Sequence, residues 1–432
     1  MDDLRIVVRY RREPTTGHHA VLGALATEPP PGRWSVEFAT DADQAVAALE
    51  RGLRDAHRVL VTWSFYSPDA QLIADELATL RDRIDDVRIT HLAGGPHASA
   101  EPEGTLRTGF DLVCAGEGEI AIVELCRALV SGGPVPAVPG LAALDDAGAL
   151  VRSPAAPRHD LDRFPSFASA WGRFGPIEIT RGCIYSCRFC QTPYLFKARF
   201  RHRSVADVRA HVEELAAHGL RYVRFLSPTA LSYGTQDETP DLDAVDELLG
   251  TARAAIGAHG KVYFGSFPSE LRPEHVTPEA MAVLSRHVDN TAVIIGAQSG
   301  DEGVLEAIRR GHGTAEVERA VRVALAAGFR PDVDFLFGLP EETPDAARRS
   351  VAFAGRLADL GARIHAHSFL PLPGTPLRNV APDPLAHDVR LDLDRLTARG
   401  RLYGQWRRQE QLAAQLVPLV RRPRQPRRPD PG

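Results

Sequence analysis

The sequence predicts an α/β protein: an open, Rossmann-like parallel sheet, then a (β/α)6 partial TIM barrel, then a helical C-terminal extension. Three observations carry this. β-Branched runs alternate with helical patterns through residues 4–130, strand-then-helix units recur six times between residues 177 and 369, and a polar helical stretch with a proline-arginine tail follows. Strands alternating with helices pack as a parallel sheet whose faces the helices cover. With 432 residues, 44% of them hydrophobic and 25% charged, the chain can fill two or three sizeable cores.

In the first unit, residues 4–8, 34–38, 58–62, 87–92 and 111–114 read as strands. Helices fit at 42–54 and after Ser67-Pro68, a cap residue followed by proline at the first helical position. Open parallel sheets bind ligands beyond the carboxyl ends of their strands. The segments expected there contain Ser64, Gly94, Gly95 and His97, and Gly116, Glu117, Gly118 and Glu119. Their glycines either allow a ligand close to the backbone or simply turn the chain. Two short apolar runs in 138–151 flank Asp145-Asp146-Ala147-Gly148 as a hairpin, and Ser153 to Pro157 reads as a linker. The expected domains are 1–155, 156–384 and 385–432.

In the second unit the predicted strands are 177–180, 222–226, 261–264, 292–295, 333–337 and 364–369. Ser204 with Asp207 resembles a capping box, while Thr277-Pro278 and Thr343-Pro344 each place a cap before a first-turn proline. Barrels of this kind do their chemistry at the carboxyl ends of the strands. Directly after the first of them come Cys183, Cys187 and Cys190 in a C-x3-C-x2-C array. Three thiolates complete neither a four-ligand zinc site nor the four-cysteine set of an iron-sulfur cluster, so one metal position stays open to substrate.

A net charge of −5 is slight for this length, so no nucleic acid partner is expected, and no run of about 18 apolar residues suggests a membrane span. With no signal-like segment, the expected location is cytoplasmic. Five cysteines do not make a disulfide framework here; Cys114 and Cys126 read as small buried hydrophobes, which argues against a second cluster. His312, between two glycines, is either a proton carrier or a surface polar residue. The stretch 391–419 reads as helix and 421–432 as a solvated tail.

The cysteine array, with Phe189 just before its last member, resembles the signature of the radical S-adenosylmethionine superfamily. That resemblance implies a [4Fe-4S] cluster on Cys183, Cys187 and Cys190, with S-adenosylmethionine chelating the fourth iron. Its reductive cleavage would give a 5′-deoxyadenosyl radical, chemistry that no side chain supplies alone. The resemblance also implies an electron donor such as flavodoxin or ferredoxin. Segments after successive strands extend it: Ser227 and Pro228 stand where the family has a glycine-glycine-glutamate element. Ser266, Glu270 and Arg272 follow the third strand, Gln298 and Ser299 the fourth, and Gly338 the fifth. All of these, and Phe189 with them, are expected to contact S-adenosylmethionine.

The first unit resembles the cobalamin-binding domain of cobalamin-dependent members, with Ser64, Gly94, Gly95, His97, Gly116, Glu117 and Gly118 as the implied contacts. The Asp-x-His-x-x-Gly element of many cobalamin proteins is missing after the first strand, where His18 and His19 stand instead. By residue type His18, His19 and His97 are either ligands or surface and hydrogen-bonding groups. The expected function is a methyltransferase acting on an unactivated centre of a small-molecule or peptide substrate. A rearrangement or cyclisation using the same cofactors is one alternative, and a zinc-stabilised binding protein the other.

Overall fold

The aliphatic runs become strands where expected in a computed structural model of the chain, which describes residues 2–11, 15–132, 135–340 and 342–420. The tail, 421–432, lies outside the described residues. Strand β1 (Asp2–Arg9) is flanked by β2 (Trp34–Ala39) and β3 (Ala56–Ser64), and β4 (Ile89–Gly94) and β5 (Leu112–Cys114) continue the sheet, all in parallel. Alternation along β1 sends Leu4, Ile6 and Val8 into one core with Leu22 and Leu25, and Val7 into another with Leu49 and Leu77. Both faces are thereby covered. The strand order 2-1-3-4-5 reverses between β1 and β3, the position at which such sheets open a ligand crevice.

The hairpin forms from β6 (Leu141–Leu144) and β7 (Leu150–Arg152), and it joins the sheet antiparallel to β5. Asp145 makes its turn, accepting from the N–H groups of Ala147 at 3.0 Å and Ala149 at 2.7 Å. One helix escaped the sequence reading: Thr16–Thr27 contains His18 and His19, and buries both.

The barrel strands are β8 (Ile177–Glu178), then, after a two-stranded ribbon of β9 (Thr180–Arg181) and β10 (Arg201–His202), β11 (Tyr222–Leu226) and β12 (Lys261–Tyr263). There follow β13 (Ala292–Gln298), β14 (Arg330–Phe337), β15 (Arg363–Ser368) and β16 (Leu402–Tyr403). They pair in parallel as 12-11-8 and 13-14-15-16, and Leu271, beyond β12, bridges to Ile295 of β13. The predicted caps are in place: Ser204, Thr277 and Thr343 each accept an N–H three residues on, at 3.1, 3.2 and 3.2 Å. Strand β16 was not predicted. It interrupts the expected C-terminal helix, which is instead two helices, His387–Ala398 and Trp406–Val420. Among the described residues, no helix is long and apolar enough to cross a membrane.

Candidate active site

The cysteine loop is an excursion between β9 and β10, whose antiparallel register, Arg181 with Arg201 and Thr180 with His202, closes its base. Gly182 leads into it with φ of +84°, and a Cβ there would collide with the Arg199 carbonyl oxygen. Inside, Cys190 N–H donates to the Cys187 carbonyl at 3.2 Å, and Arg188 N–H donates to the Ile308 carbonyl at 3.0 Å. Gln191 reaches the Pro373 carbonyl beyond β15 at 2.8 Å, so both sides of the barrel mouth hold the loop.

The three cysteines share an apolar pocket with Tyr185, Phe189 and Phe200. Burial pushes the Cys183 thiol up to about 12 and the Cys190 thiol up as well. Thiolates in such a pocket need a cation beside them. One is built in: the Arg310 guanidinium lies 3.6 Å from Cys187 Sγ, held by the Gly296 carbonyl at 2.6 Å and facing Glu270 at 3.7 Å.

Around it the predicted residues divide. Arg272 is buried with its ring-facing guanidinium 3.5 Å from the Tyr185 centroid, and it donates to Glu274 and to the Arg310 carbonyl. Its contact with the cysteine loop is through the Tyr185 ring. Burial pushes the Glu270 carboxyl up to about 7, with Arg310 opposing and Asp334 adding to the shift. Gln298 takes φ of +74° at a bulge in β13, Ser299 meets the Ser350 hydroxyl at 3.0 Å, and Gly338 (φ +72°) donates its N–H to Glu342 at 2.7 Å. Ser227 and Pro228 line a cleft of about 340 Å³ between the barrel mouth and the first sheet. Ser266 is not drawn into this group by any described hydrogen bond; its carbonyl closes a turn with Ser269 N–H.

On the sheet side, Gly116, Glu117 and Gly118 line the same cleft, and Ser64, Gly94, Gly95, Gly116 and Gly118 also line a deeper cavity with His18 and Thr62. Thr62 Oγ1 and Ser64 Oγ are buried there without a hydrogen-bond partner. A Cβ on Gly95, at φ of +86°, would press on Phe65 N at 2.9 Å. Glu117 turns instead to the barrel, taking Arg181 at 2.9 Å and also Arg201. Cys114 and Cys126 are buried, as expected, and burial pushes both thiols up to about 12.

None of the singled-out histidines is a surface residue. His19 bonds Tyr10 Oη at 2.8 Å and His97 bonds Ser67 Oγ at 3.0 Å, while burial pushes His18 down to about 4. His312, with a fully covered side chain, pairs with Glu274 at 3.0 Å, where a turn between glycines had suggested exposure as readily. Arg181 and Arg310 went unremarked in the sequence. Arg310 stands two residues from His312, but its partner Cys187 is 123 positions away, so no local pattern marks it.

Residues 177–354 match the Radical SAM superfamily. An uncharacterised protein of Methanopyrus kandleri, MK0932, is 26% identical over 337 residues, covering 69% of this chain and 64% of its own. The uncharacterised methyltransferase PH0819 of Pyrococcus horikoshii is 25% identical over 287 residues, 61% of this chain and 57% of its own. The chain therefore spans somewhat under two thirds of the length of these relatives. A solved structure of the radical S-adenosylmethionine methyltransferase TsrM from Kitasatospora setae, with cobalamin and a [4Fe-4S] cluster bound, superposes with a TM-score of 0.67. At 18% identity it covers 89% of this chain and 76% of its own, and the likeness is one of fold. Over residues 177–354, with the cysteine loop at their head, this chain is thus similar to the Radical SAM superfamily.

Proposed function

We propose that the chain is a cobalamin-dependent radical S-adenosylmethionine methyltransferase acting on an unactivated carbon or phosphorus centre. The observation that carries this reading is one cleft lined on one side by the two ends of the three-cysteine loop, at Gly182, Thr192 and Phe196, and on the other by Gly116 and Gly118 of the first sheet. When bound, the cluster and S-adenosylmethionine supply a hydrogen-abstracting radical and the corrin supplies a methyl carrier.

The chain's own residues bind and exclude. Cys183, Cys187 and Cys190 would hold three irons, with Arg310 balancing the thiolate charge at Cys187. Ser227, Pro228, Gln298, Ser299 and Gly338, at successive strand ends, are the residues proposed for S-adenosylmethionine, with Glu270. Arg272 acts through Tyr185 on the loop. For the corrin, Ser64 and Thr62 offer unpartnered hydroxyls in a cavity whose wall is Gly94, Gly95, Gly116 and Gly118, where side chains would fill the space. Phe189, Tyr185 and Phe200 keep water from the sulfurs. The likeness to TsrM and PH0819 supports methyl transfer over rearrangement.

Anaerobic purification followed by an inventory of iron, sulfide, corrin and S-adenosylmethionine products tests the reading. Four irons per chain, bound corrin, and matched 5′-deoxyadenosine and S-adenosylhomocysteine are expected. A colourless protein with stoichiometric zinc and no cleavage under strong reductant would sink it. 5′-Deoxyadenosine alone would favour a rearrangement.

A further inference from the structure

The barrel lumen carries a second polar group, on β14 and β15. Val333, Phe335, Phe337, Ile364 and Ala366 pack outward with Phe353 and Leu357 of the helix Pro344–Leu360. Strand alternation therefore turns Asp334, His365 and His367 inward. Asp334 Oδ1 lies 2.9 Å from His365 Nδ1, which lies 3.1 Å from His367 Nε2. All three atoms fall within 4.8 Å of one another, a spacing that an ion would accept.

A neighbouring amide decides what occupies it. Ser368 N–H donates to Gln409 Oε1 at 2.9 Å, which leaves Gln409 Nε2 donating to His367 Nδ1 at 3.2 Å. With Nδ1 an acceptor, a neutral His367 carries its proton on Nε2 and donates it to His365 Nδ1. A metal would need that Nε2 lone pair, with Nδ1–H facing an acceptor. His365 Nδ1 has a single lone pair, so while it receives the His367 proton its 2.9 Å contact with Asp334 Oδ1 closes only with a proton on the Asp334 carboxyl, whereas an Nδ1–H directed at Asp334 gives up the His367 bond.

The row is not sealed, since His365 keeps 27% of its side-chain surface open. Glu270 meets Asp334 from beyond β12, Tyr403 stacks on His365 at 4.4 Å, Arg363 lies 3.9 Å over the Tyr403 ring, and Asp332 pairs with Arg330. We propose that Asp334, His365 and His367 form a proton-holding row on the lumen face, so that a substrate nitrogen or oxygen reaching it meets an acid–base group and not a metal. The idea rests on the barrel being the reaction chamber.

Histidine-selective ¹⁵N labelling of the cluster-loaded full chain, assigned with His365→Gln and His367→Gln, reads the tautomers. Between about pH 6 and about pH 8, His367 should be the Nε2–H form, and Asp334→Asn should shift the His365 Nδ1 signal. A His367 proton on Nδ1, a His365 signal indifferent to Asp334→Asn, or one bound transition metal lost with His367→Gln overturns the proposal. If His367→Gln does not fold, Gln409→Leu replaces it: loss of the donor should admit the Nδ1–H form, and an unmoved tautomer overturns the proposal equally. Cleavage of S-adenosylmethionine is measured alongside. Its absence in the wild type would count against the proposed function and leave the tautomer result standing.

Discussion

Arg310 is where the charge of the site is decided. Its guanidinium is almost fully buried between Cys187, the Gly296 carbonyl and Glu270, and removing one partner of such a group strands the others. Arg310→Met should therefore destabilise the metal-free protein by about 3–5 kcal/mol in denaturant unfolding, and should lower iron retention after reconstitution. Cys183→Ala is the complementary case. A neutral thiol leaves little behind when removed, so unfolding should shift by about 1 kcal/mol while iron and S-adenosylmethionine cleavage fall to background. Normal cleavage by that variant would remove Cys183 from the ligand set. The cysteines were legible in sequence because their spacing is local. Arg310 was not, because only the closed barrel brings it to Cys187.

At the scale of elements, the loop is held by what brackets it. The ribbon β9–β10 fixes its two ends, and Gly182 makes the turn between ribbon and first cysteine in a left-handed conformation against the Arg199 carbonyl. Gly182→Ala adds both a conformational cost and a backbone collision, so a loss above about 2 kcal/mol is expected, together with poor cluster assembly. Iron content equal to wild type would show that the ribbon alone positions the thiols. Helix starts were readable because a cap is a contact across three residues, as at Ser204, Thr277 and Thr343. Strand β16 was not, since two residues, Leu402 and Tyr403, show no period, and β15 alone makes them a strand. The helix holding His18 and His19 lacked a side-chain cap, so nothing announced its start.

For the whole molecule, the residues read as a glycine-rich ligand loop also fasten the sheet to the barrel. Arg181, two residues before Cys183, donates to Glu119 at 2.6 Å, Glu178 at 2.6 Å and Glu117 at 2.9 Å, and Glu117 also accepts from Arg201. The sequence placed Glu117 and Glu119 at a strand end, but which way their carboxylates turn depends on a neighbour that only the assembled fold supplies. Burial alone would push the Glu119 carboxyl up, yet the charge and hydrogen bonds of Arg181 outweigh it and hold the group below its ordinary value. A carboxylate depressed in the folded state contributes stability above its unfolded value of about 4.3, and loses it as pH falls through the folded one. Glu119→Gln should accordingly flatten the acid limb of the stability profile below about pH 4, read by urea unfolding against wild type. Arg181→Met leaves Glu119 and Glu178 without the guanidinium they share, with Glu117 still on Arg201, and should cost about 3–5 kcal/mol near neutral pH. Because Arg181 opens the cysteine loop, that variant should also lose iron in parallel with stability. Full stability with iron lost would mean that Arg181 positions the loop without fastening the two sheets, and unchanged values for both would remove it from either role.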